Sequence, residues 1–220
     1  MKNFLFLAAL LVLSCKTTQV VNDTNETRAV STINFSKPEN VAKTLSFLAS
    51  DALEGRDSGS EGIEKASVFL EKMLKENGVK PYFKTYRDTL SNFSKTSYNI
   101  VGYMEGTDSK LKDEFVIIGA HYDHIGKIAA VNGDDIGNGA NDNASGTTAV
   151  TEVMKYFAQK KNNKRSLLFV FFSAEEKGLL GSKHLAKKLK DQNMDLYFMF
   201  NFEMIGVKMN RDDMLLYLTG

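Results

Sequence analysis

Four short segments of this 220-residue chain set histidine or carboxylate side chains just after apolar runs or on a glycine-rich turn. Groups of these types, brought together, can hold divalent metal ions and move protons. The first segment, His121-Tyr122-Asp123-His124, follows the apolar run Phe115-Val116-Ile117-Ile118-Gly119-Ala120. A histidine at the carboxyl end of a buried strand faces the crevice in which open α/β sheets bind ligands. Asp123 lies two residues further on, on the same side of a strand that persists so far. From there it can hold the second imidazole nitrogen, fix the tautomer and raise the basicity of the ligating nitrogen. The second segment runs from Gly137 to Gly146 through Asn141-Asp142-Asn143-Ala144-Ser145. Its glycines and asparagines let the backbone turn sharply before a helix. Asp142 or Asn143 can serve there as the helix cap. In the functional reading Asp142 is a metal ligand on a tight loop, and a carboxylate, unlike an imidazole, can bridge two ions.

The third segment, Ser173-Ala174-Glu175-Glu176, closes the apolar run Leu167–Phe172. Adjacent glutamates in a crevice repel one another unless a cation or a proton compensates. The plain alternative is the acidic start of a solvated helix, favoured by the helix dipole. The fourth segment, Asn201-Phe202-Glu203, again puts a carboxylate after an apolar run. Taken together, the four place ligand-type residues at one edge of a single sheet.

The elements that must do this positioning are legible in the hydrophobic pattern. Pro38 marks a helix start, with Ser36 as its candidate cap, and Val41, Leu45 and Leu48 share a face. A polar loop over 49–60 precedes a helix over 62–77 whose inward face is Ala66, Phe69, Leu70, Met73 and Leu74. Strands are expected at 97–105, 114–120, 167–172, 196–202 and 214–218, with helices over 144–159 and 179–189. Alternating strands and helices predict an α/β, three-layer fold: a mixed, mostly parallel central sheet covered by helices on both faces.

Lys+Arg 28 against Asp+Glu 27 leaves a net charge of +1, without the basic stripe that a nucleic-acid partner requires. At the N-terminus, Met1-Lys2-Asn3 and the apolar run Phe4–Leu13 have the length and charge of an export signal and are too short to span a bilayer. The run ends at Ser14-Cys15, and Cys15 is the sole cysteine, so no internal disulfide forms. This end resembles a bacterial lipoprotein signal, which implies a lipid anchor at Cys15; a conventional cleaved signal is the alternative. Either predicts an exported protein. The expected organisation is a signal over 1–15, a polar tether over 16–36 and one domain over 37–220.

Residues 40–215 resemble the co-catalytic zinc exopeptidase family, which includes bacterial leucyl aminopeptidases, aminopeptidase Y, glutamate carboxypeptidase and the glutaminyl cyclases. The resemblance is carried by Asp142-Asn143-Ala144-Ser145-Gly146, by Ser173-Ala174-Glu175-Glu176, and by Leu53-Glu54-Gly55-Arg56 with Gly59-Ser60. It implies that His121, Asp142 and Glu203 bind one zinc ion, and that Asp142 bridges to a second zinc carrying Glu176. It further implies Glu175 as general base, Asp123 as the group orienting His121, and a peptide as substrate. Two departures stand out. Glu203 occupies a position where the family mostly has aspartate, and the second zinc's histidine, supplied far downstream in the family, has no counterpart here. The chain's histidines are His121, His124 and His184. His124 lies too near His121 in sequence to replace a distant ligand; a satisfied loop histidine is expected there, with a residue lining the cleft as the alternative, and His184 falls on or near the solvated face of a lysine-rich helix. The expectation is therefore two zinc ions in a longer protein, one complete site within these residues, a C-terminal part beyond Gly220, and reduced or absent activity from these 220 residues alone. A non-catalytic binding module of the same fold and a glutaminyl cyclase-like transferase are the rival functions.

Overall fold

The computed structural model describes residues 36–208. Its helices are α1 (Pro38–Leu48), α2 (Glu61–Glu76), α3 (Gly146–Lys160) and α4 (Leu180–Asp191). Its strands are β1 (Lys80–Pro81), β2 (Arg87–Thr89), β3 (Tyr98–Met104), β4 (Phe115–His121), β5 (Gly126–Val131), β6 (Asp134–Gly137), β7 (Ser166–Phe172) and β8 (Leu196–Asn201).

The organising element is β7. Ser166-Leu167-Leu168-Phe169-Val170-Phe171-Phe172 has no polar face, so both of its faces must be covered; every residue of it is buried. Strand side chains alternate, and the alternation divides the interior into two layers. Leu167, Phe169 and Phe171 pack with Leu48, Leu70, Val150 and Met154 of α1, α2 and α3. Leu168, Val170 and Phe172 pack with Leu185 and Leu189 of α4. The three-layer arrangement follows from that period of two.

The central sheet runs β1-β3-β7-β4-β8, with β2 also pairing with β3. β4 is parallel to both β7 and β8, whereas β3 is antiparallel to β7. The sheet is thus mixed, and its parallel half brings the carboxyl ends of three strands to one edge. β8 lies at the edge of this path, with Leu196, Tyr197, Phe198 and Met199 between 39% and 62% exposed. Among the described residues no helix is long and apolar enough to cross a membrane.

Two local expectations change. Lys37, not Ser36, occupies the N-cap of α1, and the Ser36 hydroxyl instead donates to Glu152 Oε2 at 2.5 Å. The β5–β6 hairpin was not anticipated, although its Asn132-Gly133 corner carries a recognisable signal. Both residues have positive φ (54° and 89°), as a two-residue hairpin turn demands. The signal and tether through residue 35, and the strand expected at 214–218, lie outside the described residues.

Candidate metal centre

The parallel strands deliver their terminal residues to one place. His121 is the last residue of β4 and is 2% exposed. Its Nε2 lies 2.9 Å from Glu203 Oε1, 3.2 Å from Asp142 Oδ1 and 3.9 Å from Glu175 Oε2. The structure therefore brings together His121, Asp142, Glu175 and Glu203, as the ligand-type residues at strand ends require. Among the described residues, two groups have donor atoms within 4.8 Å of one another: His121, Asp142 and Glu203, and His124, Asp142 and Glu176. Asp142 belongs to both.

Asp123 organises the turn from which Glu175 and Glu176 project. The Asp123 side chain is wholly buried. Its carboxylate accepts the amide N–H of Glu175 at 3.1 Å, that of Glu176 at 3.3 Å and the Ser58 hydroxyl at 2.9 Å. The Ser58 oxygen accepts the Ala174 amide in turn. His121 Nδ1 is 3.2 Å from the Asp123 carbonyl and 3.6 Å from its carboxylate. Asp123 thus orients the imidazole and also fixes the turn that presents both glutamates, a task its spacing alone did not disclose.

Asn143, rather than Asp142, performs the capping task. Its Oδ1 accepts the Gly146 amide at the start of α3 and the Met204 amide beyond β8, and its Nδ2 donates to the Phe202 carbonyl. The Asp142 loop and the Glu203 turn are laced together in this way. A Cβ on Gly146 would lie 2.4 Å from the Phe202 oxygen, so the close approach requires glycine there.

Arg56 is the residue whose role sequence reasoning missed. In the Leu53-Glu54-Gly55-Arg56 segment the last three residues turn through positive φ (47°, 68° and 50°), and Arg56 is 1% exposed. Its guanidinium donates to the carbonyls of Leu48, Tyr122, Asn138 and Gly139, so it clamps the segment after β4 to the loop before α3. Burial pulls its pKa down, opposed by Asp123 and Asp142, and the group stays charged at neutral pH.

The donor chemistry fits divalent metal. Imidazole nitrogen with carboxylate oxygens is a ligand set that zinc accepts while keeping a position open. Asp142 Oδ1 is buried and accepts no hydrogen bond, a costly condition for a carboxylate oxygen unless a cation faces it. Burial alone would pull the His121 pKa down, but Asp123 and Glu203 outweigh it and raise it to about 10. Burial raises the Glu175 carboxyl above its ordinary range, His121 opposes this, and Glu203, Asp123 and Glu176 add to it. An upward shift is the direction that strengthens a carboxylate as a proton acceptor.

Two histidine expectations meet the structure differently. His124 is not held apart from the site by its nearness to His121: the chain leaves the strand after residue 121, and His124 Nδ1 lies 2.8 Å from Glu176 Oε1. Three residues past the strand end, the His124 ring stands in the same donor group as Asp142 and Glu176. His184 belongs to neither donor group. It sits 3.3 Å from the buried Asp88 carboxylate and is 13% exposed, so it is packed rather than solvated.

Comparison with known proteins places these features in a family. The model of peptidase family M28 matches residues 99–218. A probable leucine aminopeptidase of Arthroderma otae is 31% identical over 185 residues, which cover 80% of this chain and 46% of that protein. A probable zinc metalloprotease of Pyrenophora tritici-repentis is 33% identical over 107 residues, covering 49% of this chain and 24% of its own length. Among solved structures, the LapA aminopeptidase of Legionella pneumophila superposes with a TM-score of 0.60 at 25% identity, over 76% of this chain and 43% of that one. The chain spans less than half the length of these relatives.

Proposed function

The chain belongs to peptidase family M28, and from that premise we propose that it is the core of a zinc-dependent aminopeptidase hydrolysing N-terminal residues from peptides. The observation that carries the proposal is the pair of donor groups sharing Asp142, with Glu175 beside them. Relatives bearing the names leucine aminopeptidase and zinc metalloprotease support both substrate class and metal. His121, Asp142 and Glu203 would hold one zinc ion, and Asp142 with Glu176 would hold the second. Bound there, zinc lowers the pKa of a water to near neutrality and polarises the scissile carbonyl. Glu175 accepts the proton of the attacking water and returns it to the leaving amine. Asp123 keeps Glu175 and Glu176 in place through their amides.

A cavity of about 200 Å³ adjoins His121, Glu175 and Glu203 and is walled by Phe172, Leu179 and Met199. Its apolar wall suits an aliphatic side chain of the substrate's first residue. Zinc-loaded protein is expected to hydrolyse a leucyl anilide faster than an aspartyl one, and Glu175→Gln to lower kcat by ~10²–10⁴ with zinc content unchanged. Full activity in that variant would remove Glu175 from the reaction. Zinc uptake and peptide binding with no hydrolysis would instead identify a non-catalytic module.

The cellular location we propose is the envelope exterior to the cytoplasm, through export on residues 1–15 and lipid attachment at Cys15. The basic start, the apolar run and the placement of the sole cysteine support this. Incorporation of labelled palmitate into the expressed chain, lost in Cys15→Ser, is the expected result; labelling of neither protein would leave only a conventional signal.

A further inference from the structure

We infer that His124 is a metal ligand in this chain, its Nδ1 closing the second metal position together with Asp142 and Glu176. The inference rests on the metallopeptidase reading and adds to it a donor that the family resemblance places far downstream.

Proximity is the first argument. His124 Nδ1 lies 2.8 Å from Glu176 Oε1, and the three side chains offer donor atoms within 4.8 Å of one another. They are 12%, 34% and 19% exposed for His124, Asp142 and Glu176, buried enough to be ordered and open enough for an ion to enter.

The second argument is that the ring is placed by elements independent of any ion. The His124 amide donates to the Arg56 carbonyl, and Asp57 and His124 form a parallel bridge. Opposite the ring stands Gly139, at φ 59°, where a Cβ would lie 2.6 Å from both Cγ and Cδ2 of the imidazole. The ring occupies the space that any other residue at 139 would fill. Arg56 in turn holds the carbonyls of Asn138 and Gly139 and so fixes that wall.

Charge gives the third argument. Asp142 and Glu176 share one donor group beside Glu175, Glu203 and Asp123, so five carboxylates gather around the Arg56 guanidinium and the imidazoles of His121 and His124, a concentration that favours a bound cation. Two carboxylates and one neutral imidazole at the second position reproduce the donor composition of the first, where His121 plays the nitrogen's part. Among the described residues the remaining histidine, His184, is committed to Asp88.

Metal stoichiometry tests the inference without any assay of activity. The 220-residue chain, stripped with chelator, is titrated with Zn²⁺ by calorimetry and with Co²⁺ by visible absorption. Wild-type protein is expected to take up two ions. His124→Ala should keep the first and bind the second at least ~10-fold more weakly, the loss found even for groups one step removed from a metal. His124→Asp, which restores a ligand atom, should recover the second ion, and His184→Ala should retain both. Circular dichroism confirms that each variant is folded. Two ions of unchanged affinity in His124→Ala overturn the inference and leave the metallopeptidase reading standing. A single ion in the wild type, unaffected by His124→Ala, overturns it likewise. Failure of the wild type to bind any ion defeats the reading itself.

Discussion

At the scale of single residues, His121 carries a consequence for stability. Its imidazole is buried, and its pKa rises from 6.5 to about 10 because Asp123 and Glu203 outweigh the cost of burial. A raised pKa in the folded state stabilises the protein fully below about pH 6.5, and the contribution is lost as pH climbs through 10. Glu203 is 45% exposed, so solvent screening tempers the effect. Metal-free protein should therefore lose thermal stability between those pH values, and His121→Gln should remove that slope. A melting temperature that is flat over the range, or equally sloped in the variant, contradicts the assignment. Zinc needs the neutral imidazole, so loading the protein at pH 7 should release protons. At this same scale the sequence was informative about types and poor about duties. His121, Asp142, Glu175 and Glu203 announce themselves by following apolar runs or occupying a tight loop. The second duty of Asp123, holding two glutamate amides, depends on β7 ending beside β4, which no spacing within residues 121–124 encodes.

At the scale of elements, the loops matter more than the strands they join. Arg56 binds four carbonyls contributed by three separate segments. Removing it strands those acceptors in the interior at once. Arg56→Met should cost roughly 3 kcal/mol or more, since each charge-assisted bond is worth ~1.5–3 kcal/mol. Chemical denaturation measures that loss, and zinc affinity should fall with it because both His124 and Asp142 flank the clamp. A variant as stable as wild type would show that the carbonyls find water instead. The Leu53-Glu54-Gly55-Arg56 motif was recognisable by resemblance, yet its purpose was not: backbone acceptors leave no trace in a sequence, since every residue supplies one. The β5–β6 hairpin is the opposite case, because Asn132-Gly133 states its turn directly and needed only to be read.

For the molecule as a whole, the hydrophobic pattern predicted a layered α/β architecture, but not the short strands β1 and β2, the β5–β6 hairpin or which helices cover which face. The unbroken apolar run of β7 demands cover on both faces, and in the folded chain α1, α2 and α3 supply one layer and α4 the other. The donor residues, and their order along the chain, were likewise present in the sequence, because a metal site needs particular atoms and those atoms belong to few residue types. What only the tertiary structure decided is which donors share an ion. That choice depends on parallel pairing of β4 with β7 and β8, on the lacing of Asn143 to the turn beyond β8, and on the path the chain takes in the three residues after His121. Chain separation is a poor measure of distance at a strand end, where a single turn of backbone sets the direction of a ring. Hence His124, set aside when only its spacing from His121 was known, stands beside Glu176 once the chain is folded.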